Sequence, residues 1–188
     1  MGAVSKLIYS MGVSLDGFIS GRGDAIDWSA PGEELHRFHN EQAREVGAQL
    51  YGRRLWENMR PWEHASERPS PSGEELEFSR IWQDTPKYVF STTLDAVEGA
   101  TLVTGDAVEE VTRLKAEPGG ELAVGGAGLA STFVKAGLVD EYRLFVYPVV
   151  LGAGTPFFPA LEDRIGLELL ETRTFGSGVV YIRYRLSG

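Results

Sequence analysis

The stretch ELAVGGAGLASTFVKAGLVDEYRLFVYPVVLGAGTPFF, residues 121–158, decides the fold of this chain. It begins with a short apolar strand that runs directly into a glycine-rich turn at 125–128. The apolar residues after the turn recur at helical spacing, and Gly137 ends the helix. A second apolar strand is predicted over about 142–150. The segment is therefore a strand–turn–helix–strand unit, which is typical of a parallel α/β sheet.

The glycine turn is a candidate anion site. Gly125, Gly126 and Gly128 lack a Cβ, so another group can approach the backbone closely. The helix behind them offers free N–H groups and a positive dipole end, which suits a phosphate. The alternative is that the glycines only let helix and strand pack tightly. A P-loop is excluded because the next lysine is Lys135, and the G-x-G-x-x-G fingerprint fails at Ser131.

Size and composition favour one globular domain over residues 1–188. The chain has 188 residues, 43% hydrophobic and 24% charged, with a formal net charge of -9. An acidic surface argues against nucleic acid or an anionic membrane as the main partner. The absence of cysteine excludes disulfides, thiolate nucleophiles and cysteine-based zinc sites. No signal peptide or membrane-length apolar run is evident, so we expect a cytoplasmic protein.

Strands and helices alternate along the rest of the chain. This predicts a mainly parallel central sheet with helices on both faces. The alternating segments 167–174 and 179–186, joined by Gly176-Ser-Gly178, predict a terminal antiparallel hairpin. Residues 60–73 contain three prolines and are expected to form an irregular surface loop or lid.

Four loops of small, hydroxyl or arginine residues follow predicted strands. Because the carboxyl ends of parallel strands share one edge of the sheet, these loops together predict a binding cleft. They are Ser14–Gly17, Gly52–Arg54, Ser91–Thr93 and Gly125–Gly128.

With these motifs in place, the chain resembles the dihydrofolate reductase-like fold. It is most similar to the reductase domain of bacterial riboflavin biosynthesis and its small, stand-alone relatives. The resemblance covers essentially the whole chain. It rests on SLDGFI at 14–19, YGRRLWE at 51–57, PKYVFSTTL at 86–94 and the glycine-rich stretch at 125–158.

The resemblance implies that NADPH lies across the strand ends, with the loop around Asp16 over the nicotinamide. Arginine beside hydroxyl groups favours NADPH over NADH. Without the resemblance, the residues alone favour a solvated helix start for Arg53 and Arg54. The implied cofactor contacts are Gly52, Arg53 and Arg54 for the adenosine-side phosphates, Ser91 and Thr92 for the 2′-phosphate, Gly125, Gly126 and Gly128 for the pyrophosphate, and Ile19 for the nicotinamide.

The resemblance also implies a catalytic carboxylate at the start of the first helix. The family pattern Trp-x-x-Pro precedes that acid, and it matches Trp28 to Pro31. Counting from Pro31 selects Glu33, whereas counting back from the apolar helix stripe selects Glu34. Asp16 is the other acid at the cleft, with shaping of the turn as its alternative role. His36 and His39 could share a helix face, but no third metal ligand is placed by spacing, so no metal site is predicted.

The expected activity is NADPH-dependent hydride transfer to a small heterocyclic, pterin- or pyrimidine-like, or carbonyl substrate. It would resemble 5-amino-6-(5-phosphoribosylamino)uracil reductase or dihydrofolate reductase. Val124 replaces a glutamate that riboflavin-pathway reductases carry beside the substrate ribose, which argues against that pathway's substrate. The alternative is a nucleotide- or pterin-binding protein of the same fold without turnover. A homodimer is expected, because the terminal hairpin leaves a strand edge that needs covering.

Overall fold

The computed structural model describes residues 4–187, in which strands and helices alternate as predicted. Their bounds are β1 Leu7–Ser14, β2 Phe18–Ser20, α1 Glu33–Arg44, β3 Val46–Gly52, α2 Arg53–Met59, α3 Gly73–Asp84, β4 Lys87–Phe90, β5 Thr101–Val103, α4 Ala107–Ala116, β6 Glu121–Gly125, α5 Ala127–Lys135, β7 Glu141–Tyr147, β8 Thr155–Pro156, β9 Leu167–Thr174 and β10 Val180–Leu186.

The main sheet has eight strands in the order β5-β4-β3-β6-β1-β7-β10-β9. The six strands β5, β4, β3, β6, β1 and β7 are parallel to one another, whereas β10 runs antiparallel to both β7 and β9. This confirms the α/β class, the mainly parallel sheet and the terminal antiparallel hairpin. None of the helices within residues 4–187 is long and apolar enough to cross a membrane.

The unit β6–α5–β7 forms as its sequence predicts. Ala130, Phe133 and Val134 make the buried face of α5. After the helix, Gly137 takes a positive φ of 67°, a conformation that glycine adopts without strain. β7 ends at Tyr147, three residues earlier than predicted, because Pro148 has no N–H to donate to the ladder.

The sheet buries apolar side chains on both faces. One face packs against α4 and α5, and the other against α1, α2 and α3. The fully buried side chains on the first face include Leu7, Tyr9 and Phe133. Those on the second face include Leu35 and Phe145, and Trp56 is buried beside α3.

The prediction that residues 60–73 are irregular was wrong for their first half. Arg60–Glu67 form a 3₁₀ helix in which Ala65 is fully buried. Trp62 packs edge-on against Phe78 of α3, with ring centroids 4.7 Å apart, and the Arg68 guanidinium lies over the Trp62 ring. Aromatic packing against the next helix in the chain thus orders a segment whose prolines suggested a loop.

A small second sheet, which the sequence did not reveal, pairs β2 with β8 in antiparallel fashion. It brings the loop after β1 against the loop after β7. The backbone at Gly154 makes this possible: it has a φ of 151°, and a Cβ there would lie 1.9 Å from the Ser20 carbonyl oxygen.

Candidate active site

Two helices begin side by side at the carboxyl edge of the sheet. Tyr51 of β3 pairs with Gly125 of β6, so the next residues, Gly52 and Gly126, are the N-caps of α2 and α5. A Cβ on Gly125 would lie 2.4 Å from Leu55 Cδ2 of α2. Gly125 therefore serves the close packing of the two helix starts.

The N-termini of α2 and α5 have no side-chain cap. By contrast, Ser72 and Asp106 cap α3 and α4 with their side chains. The first-turn N–H groups of α5 thus remain available to a ligand. Gly126 has a φ of 88°, and a Cβ on Gly128 would meet open space. These features suit an anion at the start of α5.

Arg53 joins the start of α2 to the loop after β4. Its Nε donates to Glu57 Oε1 at 2.8 Å, and its Nη1 donates to Thr93 Oγ1 at 3.0 Å. Thr93 Oγ1 lies 3.3 Å from Ser91 Oγ. The structure thus brings Arg53 and Ser91 together through Thr93, and Thr92 is exposed beside them. The sequence offered three neighbouring hydroxyl groups and no means of ranking Thr93 above Thr92.

Arg54 lies apart from this group. Its side chain is 86% exposed, and its Nη1 donates to Asp24 Oδ2 at 3.3 Å. Asp24 follows β2, so this contact ties α2 to the loop next to β2. Ile19, within β2, is partly buried and packs against the main core.

A cavity of about 800 Å³ adjoins the two helix starts. It lies between the sheet and the helices α1 and α3, and its walls are largely apolar. Gly125 and Leu55 belong to its lining, so a ligand at the helix starts would border it. Its other apolar and aromatic walls include Met11, Tyr51, Trp62 and Phe78.

The structure separates the two acids at the start of α1. Glu33 lines the cavity and pairs with Arg37 Nη2 at 3.1 Å. Glu34 instead accepts a hydrogen bond from the Gly176 N–H at 3.0 Å, and Arg173 lies 3.8 Å away. Glu34 therefore ties α1 to the terminal hairpin, and of the two only Glu33 lines the cavity.

His36 and His39 also line the cavity, which the sequence did not indicate. The His36 ring lies beside Trp62 and Phe78, and the His39 ring centroid is 4.2 Å from that of Phe145. Burial lowers the pKa of His39 to about 4 and also lowers the pKa of His36. Both imidazoles are therefore neutral at pH 7. Within the described part of the chain, no three His or acidic side chains cluster as metal ligands.

Asp16 connects the loops that follow β1 and β7. Its Oδ1 accepts hydrogen bonds from Ser14 Oγ at 2.7 Å and from the Leu151 N–H at 3.0 Å. Its Oδ2 accepts from the Gly152 N–H at 2.7 Å. These donors, the Ser14 hydroxyl foremost, lower the pKa of Asp16 to about 2. Shaping of the turn, the alternative role for Asp16, accounts for every one of these contacts.

We expect Asp16→Asn to lower the melting temperature at pH 7. The asparagine amide has only one oxygen, so its NH₂ group would face one of the two backbone N–H groups from which Asp16 now accepts hydrogen bonds. The pKa of Asp16 falls from 3.8 to about 2 on folding, so its contribution is fully present above about pH 4. It is lost as the pH falls through 2. The melting-temperature gap between wild type and variant should therefore narrow below pH 4. Exposed Asp95→Asn is the control, and a gap independent of pH would contradict the assignment.

The comparisons with known proteins identify the family of the chain. The family model described as the RibD C-terminal domain matches residues 5–181. The uncharacterized protein YyaP of Bacillus subtilis (strain 168) is 36% identical over 185 residues, which cover 97% of this chain and 96% of that protein.

Solved structures show the same fold. A putative riboflavin biosynthesis protein from Shewanella sp. PV-4 superposes with a TM-score of 0.76 at 22% identity, covering 97% of this chain and 99% of that chain. Dihydrofolate reductase from Enterococcus faecalis, solved with NADP(H), superposes with a TM-score of 0.66 at 17% identity, covering both chains fully. The predicted resemblance is thus confirmed: the chain belongs to the RibD C-terminal domain family and has a dihydrofolate reductase-like fold.

Proposed function

We propose that this chain is an NADPH-dependent reductase that transfers hydride to a small heterocyclic or carbonyl substrate. One observation carries the proposal. The uncapped start of α5, the Arg53–Thr93–Ser91 group and one end of the 800 Å³ cavity lie at the same edge of the sheet. An edge whose groups suit an anion, next to a largely apolar cavity, supports a dinucleotide beside an organic substrate.

The residues at this edge fit the phosphates of NADPH. Gly126 and Gly128 leave the first-turn amides of α5 open to the pyrophosphate. Arg53 and Ser91 would bind the 2′-phosphate, since guanidinium and hydroxyl groups are good phosphate donors. When bound, NADPH would supply the hydride, which it carries on the nicotinamide.

The other predicted cofactor contacts also belong to the proposal, and one of them requires a side chain to move. Gly52 starts α2 beside Gly126 and would border the adenosine-side phosphates, and Thr92 is exposed close by. Arg54 would first have to leave Asp24. Ile19 and the loop held by Asp16 would cover the nicotinamide end, and the β2–β8 pairing fixes their position.

Around the substrate, side chains of this chain would exclude water, and one of them would guide a proton to the substrate. Trp62 and Phe78 provide flat, apolar walls against which a planar ring can pack. Glu33 is the carboxylate at the start of α1 that lines this space, and we assign it to the proton-accepting side of the substrate. Neutral His36 lies on the same helix face one turn further along.

A homodimer is part of the same proposal. β9 is the outer strand of the hairpin, and most of its residues are exposed. Leu169 and Leu170 on that strand are 54% and 39% exposed. Since exposed strand edges are normally paired or covered, a second copy would bury this one.

We expect NADPH to bind more tightly than NADH, and Arg53→Ala to weaken NADPH binding about 10- to 100-fold because a charge-assisted contact to phosphate is lost. NADH binding should change little. Calorimetric titration of both nucleotides measures this, with Arg80→Ala on α3 as the control for loss of an exposed arginine. Equal NADPH affinity in wild type and Arg53→Ala would remove Arg53 from the site.

The same titration distinguishes the alternatives. Binding of neither nucleotide would overturn the proposal. Binding of NADPH without oxidation by any pterin, pyrimidine or carbonyl substrate would favour a nucleotide-binding protein without turnover.

A further inference from the structure

The cavity is long. Four residues of α1 line it at steps of three, namely Glu33, His36, His39 and Gln42. At 1.5 Å per helical residue they span roughly 13 Å. The β6 side gives the same length, because the lining includes both Glu121 and Gly125, the first and last residues of that strand, about 13 Å apart. A compact ring would fill only one end.

The end furthest from the helix starts is polar, and we call Gln42, Glu121 and Arg143 the polar floor. Arg143 is 5% exposed. Its Nη1 donates to Gln42 Oε1 at 3.0 Å, and its Nη2 donates to Glu121 Oε1 at 2.7 Å and to Glu141 Oε2 at 3.2 Å. Within the floor, two buried side-chain atoms have no hydrogen-bond partner among residues 4–187: Arg143 Nε and Glu121 Oε2.

Such unpartnered groups are unusual in a protein interior, where buried polar atoms are nearly always hydrogen-bonded. One is a donor and the other an acceptor, and both are shielded from the cavity. A ligand that carries both kinds of group would meet them once the Arg143 and Glu121 side chains turn toward the cavity. A hydroxyl or amide group offers donor and acceptor together. The floor is therefore suited to an uncharged polar substituent.

The charges around the cavity disfavour a phosphate. Its lining contains four carboxylates, Glu33, Glu74, Glu75 and Glu121, against two guanidinium groups, those of Arg68 and Arg143. Both cations are already engaged. Arg68 pairs with Glu75 at 3.4 Å and covers Trp62, while Arg143 pairs with Glu121 and Glu141.

Two further cations lie near the floor but are held elsewhere. Lys6 and Arg183 bind Glu141 at 2.9 Å and 2.8 Å, and neither belongs to the cavity lining. A phosphate monoester, with a charge of about -1.5 to -2 at pH 7, would thus enter a net negative, largely apolar space without an unengaged cation among the described residues.

We propose that the substrate is an elongated, non-phosphorylated heterocycle. Its ring lies at the Glu33 and Gly125 end, and an uncharged hydroxyl- or amide-bearing substituent reaches the polar floor. This inference rests on the proposed reductase function and names the substrate class of that site. It separates this chain from an enzyme acting on 5-amino-6-(5-phosphoribosylamino)uracil.

Two ligand pairs that differ only by a phosphate test the proposal. They are 5-amino-6-(ribosylamino)uracil with its 5′-phosphate, and riboflavin with riboflavin 5′-phosphate. Binding to the full chain is measured by calorimetry without cofactor. We expect the uncharged member of a pair to bind at least about tenfold more tightly, because charge repulsion is strong in a water-poor cavity. Equal or tighter binding of the phosphates, or binding of no member of either pair, would overturn the proposal.

Two substitutions at the polar floor should change, in opposite directions, the affinity gap between the uncharged and the phosphorylated member of each ligand pair. Glu121→Gln removes a negative charge and should narrow the gap between the pair at least about threefold. Gln42→Glu adds one and should widen it. Exposed Glu109→Gln on α4 is the matched control and should leave the gap unchanged. An unchanged gap in both floor variants, each shown to be folded by circular dichroism, would refute the role of the floor.

NADPH binding, measured in the same variants, keeps the two proposals apart. If NADPH binds but the uncharged ligands do not bind more tightly than their phosphates, only the proposed substrate class is wrong. If the ligand pairs behave as stated and NADPH does not bind, the reductase proposal fails while the cavity's preference stands.

Discussion

Glu33→Gln is expected to lower turnover by about 10²- to 10⁴-fold while NADPH binding stays unchanged, the range typical for loss of a general acid–base group. Glutamine keeps the shape of the side chain and its contact with the cavity but cannot exchange a proton. The affected quantity should be kcat, since the cofactor edge lies at the helix starts and contains no part of Glu33.

Glu34→Gln is the matched control for this experiment. It makes the same chemical change one residue away, where the carboxylate accepts the Gly176 N–H and faces the terminal hairpin. Turnover should stay within about twofold of wild type, well inside the range expected for a group outside the chemistry. Similar losses in both variants, or turnover retained in Glu33→Gln, would exclude Glu33 from proton transfer.

Gly154→Ala should destabilise the protein by about 2–4 kcal/mol, the combined range for backbone strain and overpacking. An added Cβ would lie 1.9 Å from the Ser20 carbonyl oxygen, and backbone on both sides leaves little room to move. The expected fall in melting temperature is roughly 5–15 °C for a domain of this size. Thermal unfolding followed by circular dichroism measures it.

Gly152→Ala isolates the part of this effect that comes from backbone conformation. Gly152 has a φ of 75°, and a Cβ there would meet nothing within 4 Å. Its cost should be the left-handed strain alone, about 1–2 kcal/mol. If both variants lost the same stability, the contact between Gly154 and Ser20 would not hold the β2–β8 sheet together.

Much of the architecture was predictable because its signals are local. Apolar periodicity and glycine placed β6, α5 and the terminal hairpin within one or two residues of their bounds. The mainly parallel sheet and the family resemblance followed from the succession of such units. The predicted end of β7 was three residues too late. The apolar pattern continues past Pro148, but proline has no N–H with which to extend the ladder.

The remainder depends on contacts between distant segments. The β2–β8 pairing exists because Gly154 approaches Ser20, and the 3₁₀ helix is ordered because Trp62 meets Phe78. At the site, counting residues from Pro31 or from the apolar stripe could not choose between Glu33 and Glu34. The rotation of α1 about its axis directs Glu33 to the cavity and Glu34 to the terminal hairpin. The roles of the acids and of the cofactor contacts stay predictions until measured.

The position of β1 has a consequence for how this chain reaches its native state. β1 holds residues 7–14, yet its sheet neighbours are residues 122–124 and 141–147. More than a hundred residues must be synthesised before the first strand can pair. Folding is therefore expected to be slow and to occur after most of the chain has left the ribosome, as in proteins dominated by non-local contacts. Until then the apolar amino-terminal strand stays exposed, which makes chaperone binding at this segment an expected step in biogenesis.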